Sequence, residues 1–140
     1  MKFEDSPFYM VESPHKLLLP FGTFYLTKRY VVAEVYEGEH FDWKKVEILI
    51  CELLDHYNTK PKLAYITNRV NDYSVNPQIW VKWRSHYSFI VASAIVIYNN
   101  NTLMNASIES VFASNNLNRF SCLKDAIAWA NNIEALKTRN

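Results

Sequence analysis

The sequence predicts one α/β domain built on a mixed, mostly parallel sheet, and three observations carry that expectation. Strand-length apolar runs alternate with helix-period segments in the order ββαβαβαβα, the pattern of parallel strands joined by helical crossovers. The first two strand runs are separated only by Lys28-Arg29, so they form an antiparallel hairpin that makes the sheet mixed. The chain of 140 residues is 49% hydrophobic and 15% aromatic, ample for a single core.

The elements follow in order. Residues 1–16 carry Pro7 and Pro14 among polar residues with no sustained period, and are expected to form an extended arm. The body then runs over residues 17–140 as one domain without a linker or internal repeat. Phe21 to Thr27 and Tyr30 to Tyr36 are the hairpin strands. In the second, Val31, Ala33 and Val35 alternate with Val32, Glu34 and Tyr36, as in an antiparallel strand near a sheet edge. Asp42 caps the clearest helix, with Phe41 placed to staple onto Val46. Its buried stripe is Trp43, Val46, Leu49, Ile50, Leu53, Leu54 and Tyr57, and Asn58 and Pro61 end it. Leu63 to Thr67 is a short strand. After a polar loop, Asn76-Pro77 starts the second helix, asparagine capping and proline costing no hydrogen bond.

Phe89 to Tyr98 is nearly continuous apolar sequence, expected of a central strand covered on both faces. A third helix follows Asn99–Thr102, with Leu103, Ala106, Ser107, Ser110 and Val111 at compatible spacing. Arg119-Phe120 is a final strand. Ser121 then caps a fourth helix with Leu123, Ile127, Ala130 and Ile133 inward, beside Ala126 and Trp129.

Composition excludes several function classes. Only two glycines, Gly22 and Gly38, are present and far apart, so neither a phosphate loop nor a dinucleotide fingerprint can be assembled. Fifteen basic against fourteen acidic residues leave a formal charge of +1, which argues against nucleic acid as a partner. Cys51 and Cys122 form no CxxC pair, and no run approaches the roughly 18 apolar residues a membrane span needs. A cytoplasmic domain with no cofactor and no metal is expected. Glu37, Glu39, His40 and Asp42 make a carboxylate–histidine cluster on paper, but a turn and a helix cap account for it.

Some landmarks recur in a known family. They are Glu37-Gly38-Glu39-His40 after the hairpin, Ala64-Tyr65-Ile66-Thr67-Asn68-Arg69, Ser74-Val75-Asn76-Pro77, Ala94-Ile95-Val96, and Phe120-Ser121 with Asp125-Ala126-Ile127-Ala128-Trp129. From Phe21 to Ile133 the chain resembles the STAS-like family, and within it the SpoIIAA-like branch, related in fold to Sec14 lipid-binding domains. The resemblance implies binding of partners or ligands and no catalysis. In anti-sigma-factor antagonists a serine or threonine at the start of the second main helix is phosphorylated to break partner binding. Ser74 is the nearest equivalent, although the loop reads Asp72-Tyr73-Ser74-Val75 where the family has Asp-Ser-Ser/Thr-Gly.

The candidate site is the loop after the third strand, where open α/β sheets place ligands. Asn68, Arg69, Asn71, Tyr73, Ser74 and Asn76 supply donors, acceptors and one permanent cation, and Arg69 is positioned to orient an anionic group. Trp80 and Trp83, with Tyr87, give the next helix an aromatic stripe that is core if inward and a contact surface if outward. The leading expectation is a non-catalytic regulatory protein-interaction module, partnered by another protein or by a second copy in a homodimer. The alternative is a carrier or sensor of a small apolar, lipid-like ligand held between sheet and second helix. A hydrolase using Cys122 is a third reading, lacking a histidine placed beside the thiol.

Overall fold

The structure, a computed structural model, describes residues 1–58, 61–114 and 116–133, the Arg84 side chain excepted. Three antiparallel strands open the sheet: β1 (His15–Leu19), β2 (Gly22–Leu26) and β3 (Tyr30–Val35). Lys28-Arg29 is not a favoured turn pair, and Thr27 compensates. Its hydroxyl accepts from the Arg29 and Tyr30 amides and donates to the Tyr30 carbonyl. From β3 onward the sheet is parallel, adding β5 (Leu63–Asn68), β7 (Ile90–Val96) and β8 (Leu117–Phe120) in the order β1-β2-β3-β5-β7-β8. A separate parallel ribbon pairs β4 (His40–Phe41) with β6 (Ser74–Val75).

Strand order decides where the helices go. β3, β5, β7 and β8 advance in one direction, so right-handed crossovers must all land on one face. That face carries α2 (Trp43–Tyr57), α3 (Gln78–His86) and α4 (Asn100–Phe112). Val46, Leu49, Ile50 and Leu53 of α2 and Ile79, Trp80 and Trp83 of α3 pack there on Val31, Ala33, Tyr65 and Ile95. The expected α2 stripe holds except at Leu54, which is 41% exposed. Asp42 caps α2 by accepting from the Lys45 amide at 3.1 Å, and Asn58 closes it in the left-handed region at φ 60°.

The opposite face is covered only after the chain turns back in α5 (Leu123–Asn131), by Leu123, Ala126, Ile127 and Ala130. One helix cannot cover six strands, which is the physical reason residues 1–16 are not an extended arm. Phe3–Asp5 forms a 3-10 turn, Pro7–Glu12 forms α1, and His15–Leu19 becomes the edge strand β1. Phe3 is fully buried among Tyr9, Tyr25 and Tyr30, while Met10 stays outside. The described residues therefore contain five α-helices where the sequence predicts four. Because β1 adds outside β2, β3 lies inside the sheet and is buried along its whole length. Its predicted alternation is correct, but both faces are covered.

Two further corrections are local. Cys122, not Ser121, occupies the cap position of α5, and makes no capping bond. α3 begins one residue later than expected, with the Asn76 carboxamide accepting from the Gln78 amide. The glycines serve geometry: a Cβ at Gly22 would lie 2.9 Å from the Glu34 carbonyl, and Gly38 turns at φ 80°. Among the described residues no helix is long and apolar enough to cross a membrane.

Candidate functional site

β5 ends at Asn68, and the next residues turn over the carboxyl ends of the parallel strands. Arg69 folds back beneath the loop instead of reaching outward. Its two terminal nitrogens donate to Glu109 of α4 at 3.0 and 2.7 Å, and its Nε donates to the Thr67 hydroxyl at 3.0 Å. The Trp80 indole donates to the same Glu109 carboxylate at 2.9 Å, and the Arg69 guanidinium lies 5.0 Å from the centre of the Tyr73 ring. Arg69 and Glu109 are only 4% and 2% exposed, so this charge pair is internal and satisfied. Burial alone would depress the Arg69 guanidinium, but the charges and hydrogen bonds facing it, from Tyr73 and Glu109, more than reverse that. It stays a cation whose valence is spent inside the protein.

The aromatic stripe of α3 faces the same way. Trp80 and Trp83 are both 3% exposed, with the Trp83 ring 4.9 Å from that of Tyr65. The exposed face of α3 carries Val81 and Lys82; the predicted companion Arg84 lies outside the described side chains. The predicted set therefore divides. Arg69, Trp80 and Trp83 are brought together as an internal network, with Tyr73 half-buried against it. Asn71 donates across to the Val35 carbonyl at the end of β3, and Asn76 accepts from the nearby Gln78 amide. Ser74 alone is exposed, its hydroxyl 2.7 Å from His40 Nδ1.

Asn68 turns to the other face. Its carboxamide nitrogen donates to Glu34 at 2.8 Å and to the Met1 carbonyl at 2.9 Å, and its oxygen accepts from Tyr98 at 2.6 Å. Glu34 also accepts the Phe3 amide at 2.8 Å, which pins the first residues down. Burial raises the Glu34 carboxyl above the ordinary range, against the lowering effect of the Phe3 amide and Asn68. Burial likewise lifts the Tyr98 phenol, to about 12.

The helix α4 forms where the sequence predicts a third helix, and what the sequence misses is which way it faces. Its buried positions are Thr102, Ala106, Glu109 and Ser110, small or polar, whereas Leu103, Met104, Ile108 and Val111 are 45%, 65%, 52% and 71% exposed. The helix is turned inside out. Of the five positions at helical spacing, Ala106 and Ser110 are buried, and Leu103, Ser107 and Val111 face solvent. The Asn99 cap on Thr102 and the Glu109 bonds to Arg69 and Trp80 hold this rotation. One signal was available: Glu109 is the only Asp, Glu, Lys or Arg between Arg84 and Arg119.

Between α4 and the 72–77 segment runs an open groove of about 670 Å³. Met104, Asn105 and Ile108 form one wall, Asp72, Ser74 and Val75 the other, with Glu109 at the base. The paper cluster of carboxylates and histidine resolves into separate contacts beside it. Glu37 accepts the Asp72 amide, Glu39 pairs with Lys45 at 3.3 Å, and Asp42 caps α2. Among the described residues no group of three or more His, Cys, Asp or Glu side chains is arranged to hold a metal ion. Cys51 and Cys122 are unbridged.

No protein-family model matches the chain, and no curated protein matches it. Among solved structures, the chain is similar to an uncharacterised DUF3478-family protein from Shewanella loihica PV-4, described as having a SpoIIAA-like fold. The likeness covers 84% of this chain and 91% of that one, at 11% identity and a TM-score of 0.49. That fold is the one residues 21–133 resemble, but the architecture given above stands on the strand order itself, and the likeness carries nothing about ligand or partner.

Proposed function

We propose that the chain is a non-catalytic, regulatory protein-interaction module whose docking face is the outward side of α4 together with the adjoining groove. The observation that carries this is the inverted helix. A helix held only by the sheet would bury Leu103, Met104, Ile108 and Val111; leaving them together in water forgoes about 1.5–3 kcal/mol of burial for each. Contiguous exposed apolar surface of this kind marks association sites. Arg69, Trp80 and Trp83 are the rigid support of that face and not its contacts, and Ser74 is the phosphoacceptor this reading allows, exposed at the groove wall. The carrier alternative is not favoured, because Trp80 and Trp83 pack on Tyr65 and line no part of the open groove. Two unbridged cysteines suit a reducing, cytoplasmic setting.

The test is the double variant Ile108→Glu/Val111→Glu, both exposed positions that should leave the fold intact. Native mass spectrometry and affinity capture with wild type are expected to show a second copy or a protein partner. The variant is expected to weaken that association about tenfold or more, as hot-spot truncation does. A strictly monomeric wild type whose capture profile matches that of the variant contradicts the reading.

A further inference from the structure

We propose that the partner is received as an extended segment added to the open edge of β6, its apolar side chains on Met104 and Ile108 and its basic side chains on Asp72 and Glu37. The proposal rests on α4 being a docking face and specifies the form and charge of what docks there.

The main chain of β6 has hydrogen-bonding groups on its open side. Ser74 donates its amide to the Glu39 carbonyl at 2.9 Å, and Asn76 donates to the Phe41 carbonyl at 3.0 Å. Alternate residues of a strand aim their amides to opposite sides, so Val75 turns its N–H and C=O away from β4. β6 pairs with β4 and with no other strand among the described residues. Tyr73 and Val75 line the same groove as Met104 and Ile108. A helix laid over α4 would cover these main-chain groups and leave them unpartnered, at about 1–3 kcal/mol for each group buried. A strand satisfies them, with specificity from alternate side chains.

The groove is also acidic. The groove lining holds Glu39, Asp72 and Glu109 and no Lys, Arg or His. Glu109 is neutralised by Arg69 and Glu39 by Lys45, whereas the exposed Asp72 and Glu37 carboxylates form no ion pair among the described residues. An occupant bearing lysine or arginine beside its apolar residues meets both features, the rim charges steering approach and fixing register.

The test uses a phage-displayed library of random segments of about ten residues, strand length with flanks. Selection on the intact protein is expected to enrich segments with apolar residues at alternate positions and Lys or Arg between them. Synthetic peptides of the winners should lose affinity about tenfold or more when alternate amides are N-methylated, a change that blocks main-chain pairing and keeps every side chain. Val75→Pro should cause a similar loss, since the amide it removes makes no bond to β4. Asp72→Asn with Glu37→Gln should flatten the salt dependence. A selection with no enrichment over bare phage overturns the proposal. So do winners indifferent to N-methylation, which would dock through side chains alone, and winners weakened equally by methylating either alternate set of amides, which would dock as helices; both outcomes leave the α4 reading standing. Winners indifferent to Ile108→Glu/Val111→Glu would instead bind elsewhere and overturn both.

Discussion

Replacing Glu109 with alanine is expected to lower the stability of the protein by about 3–5 kcal/mol, read as a shift of the urea midpoint with an unchanged slope. The loss comes from what is left behind. Arg69 keeps its charge at 4% exposure, and the Trp80 indole loses its acceptor. A domain of this size holds only about 5–15 kcal/mol in total, so the variant should sit near the edge of folding. The pair itself is a weak source of net stability, because burying both ions consumes most of their attraction. Arg69→Met with Glu109→Leu should therefore recover much of the loss, giving a coupling energy of about 2 kcal/mol or more in a double-mutant cycle. An alanine variant that costs less than about 1 kcal/mol would show the carboxylate in water and the rotation of α4 misassigned.

The second large effect is expected at Glu34 and is a pH effect. Its carboxyl is raised in the folded protein by burial, so the native state holds this proton more tightly than the unfolded chain does. The unfolded state then binds fewer protons across the interval between the ordinary carboxylate pKa and the raised native value. Stability contributed by Glu34 is present below that interval and is lost as pH rises through it. Glu34→Gln should remove this descending component, so the stability difference between variant and wild type grows in the variant's favour from about pH 4.5 toward neutrality. Glu34→Ala should instead destabilise at every pH by about 1–3 kcal/mol, since the Phe3 amide and Asn68 carboxamide lose their acceptor. Lys2 and Glu4 face the same carboxyl, and both variants retain them. A difference between glutamine and wild type that does not change with pH would place Glu34 in solvent and leave the amino-terminal segment undocked.

Strand and helix periods make most of the architecture readable, and the failures have identifiable causes. α2 and α5 carry one apolar stripe each, so their inward faces follow from spacing alone. α4 offers two candidate inward faces, a small or polar one of Thr102, Ala106 and Ser110 and an apolar one of Leu103, Met104, Ile108 and Val111. Hydrophobic period favours the larger residues, and a buried counter-ion for Arg69 outweighs it. That pairing joins positions forty residues apart, which no local window can contain. The amino-terminal segment escapes notice for a different reason. A 3-10 turn and a six-residue helix are too short to establish a period, and the anchoring residue is the single side chain of Phe3. In the loop, Arg69 reads as a free cation because its partner Glu109 lies forty residues away, while the acidic residue nearest in sequence, Asp72, stays exposed. Asn76 is placed as polar loop residues usually are, on neighbouring backbone, whereas Ser74 and Asn71 reach His40 and Val35, more than thirty residues away.

The docking face exists only if α4 is rotated with its large apolar residues outward, and thiol labelling reads that rotation directly. In a Cys51→Ser/Cys122→Ser background, single cysteines replace Ala106, Ser110, Ile108 or Val111, and the rate of reaction with a disulfide reagent is followed at dilution. The account predicts rapid reaction at 108 and 111, near that of an unfolded control, and reaction about a thousandfold slower at 106 and 110, where the thiol must wait for local opening. Protection at 108 and 111 with free reaction at 106 and 110 would mean the large apolar residues face the sheet, and no docking face would remain.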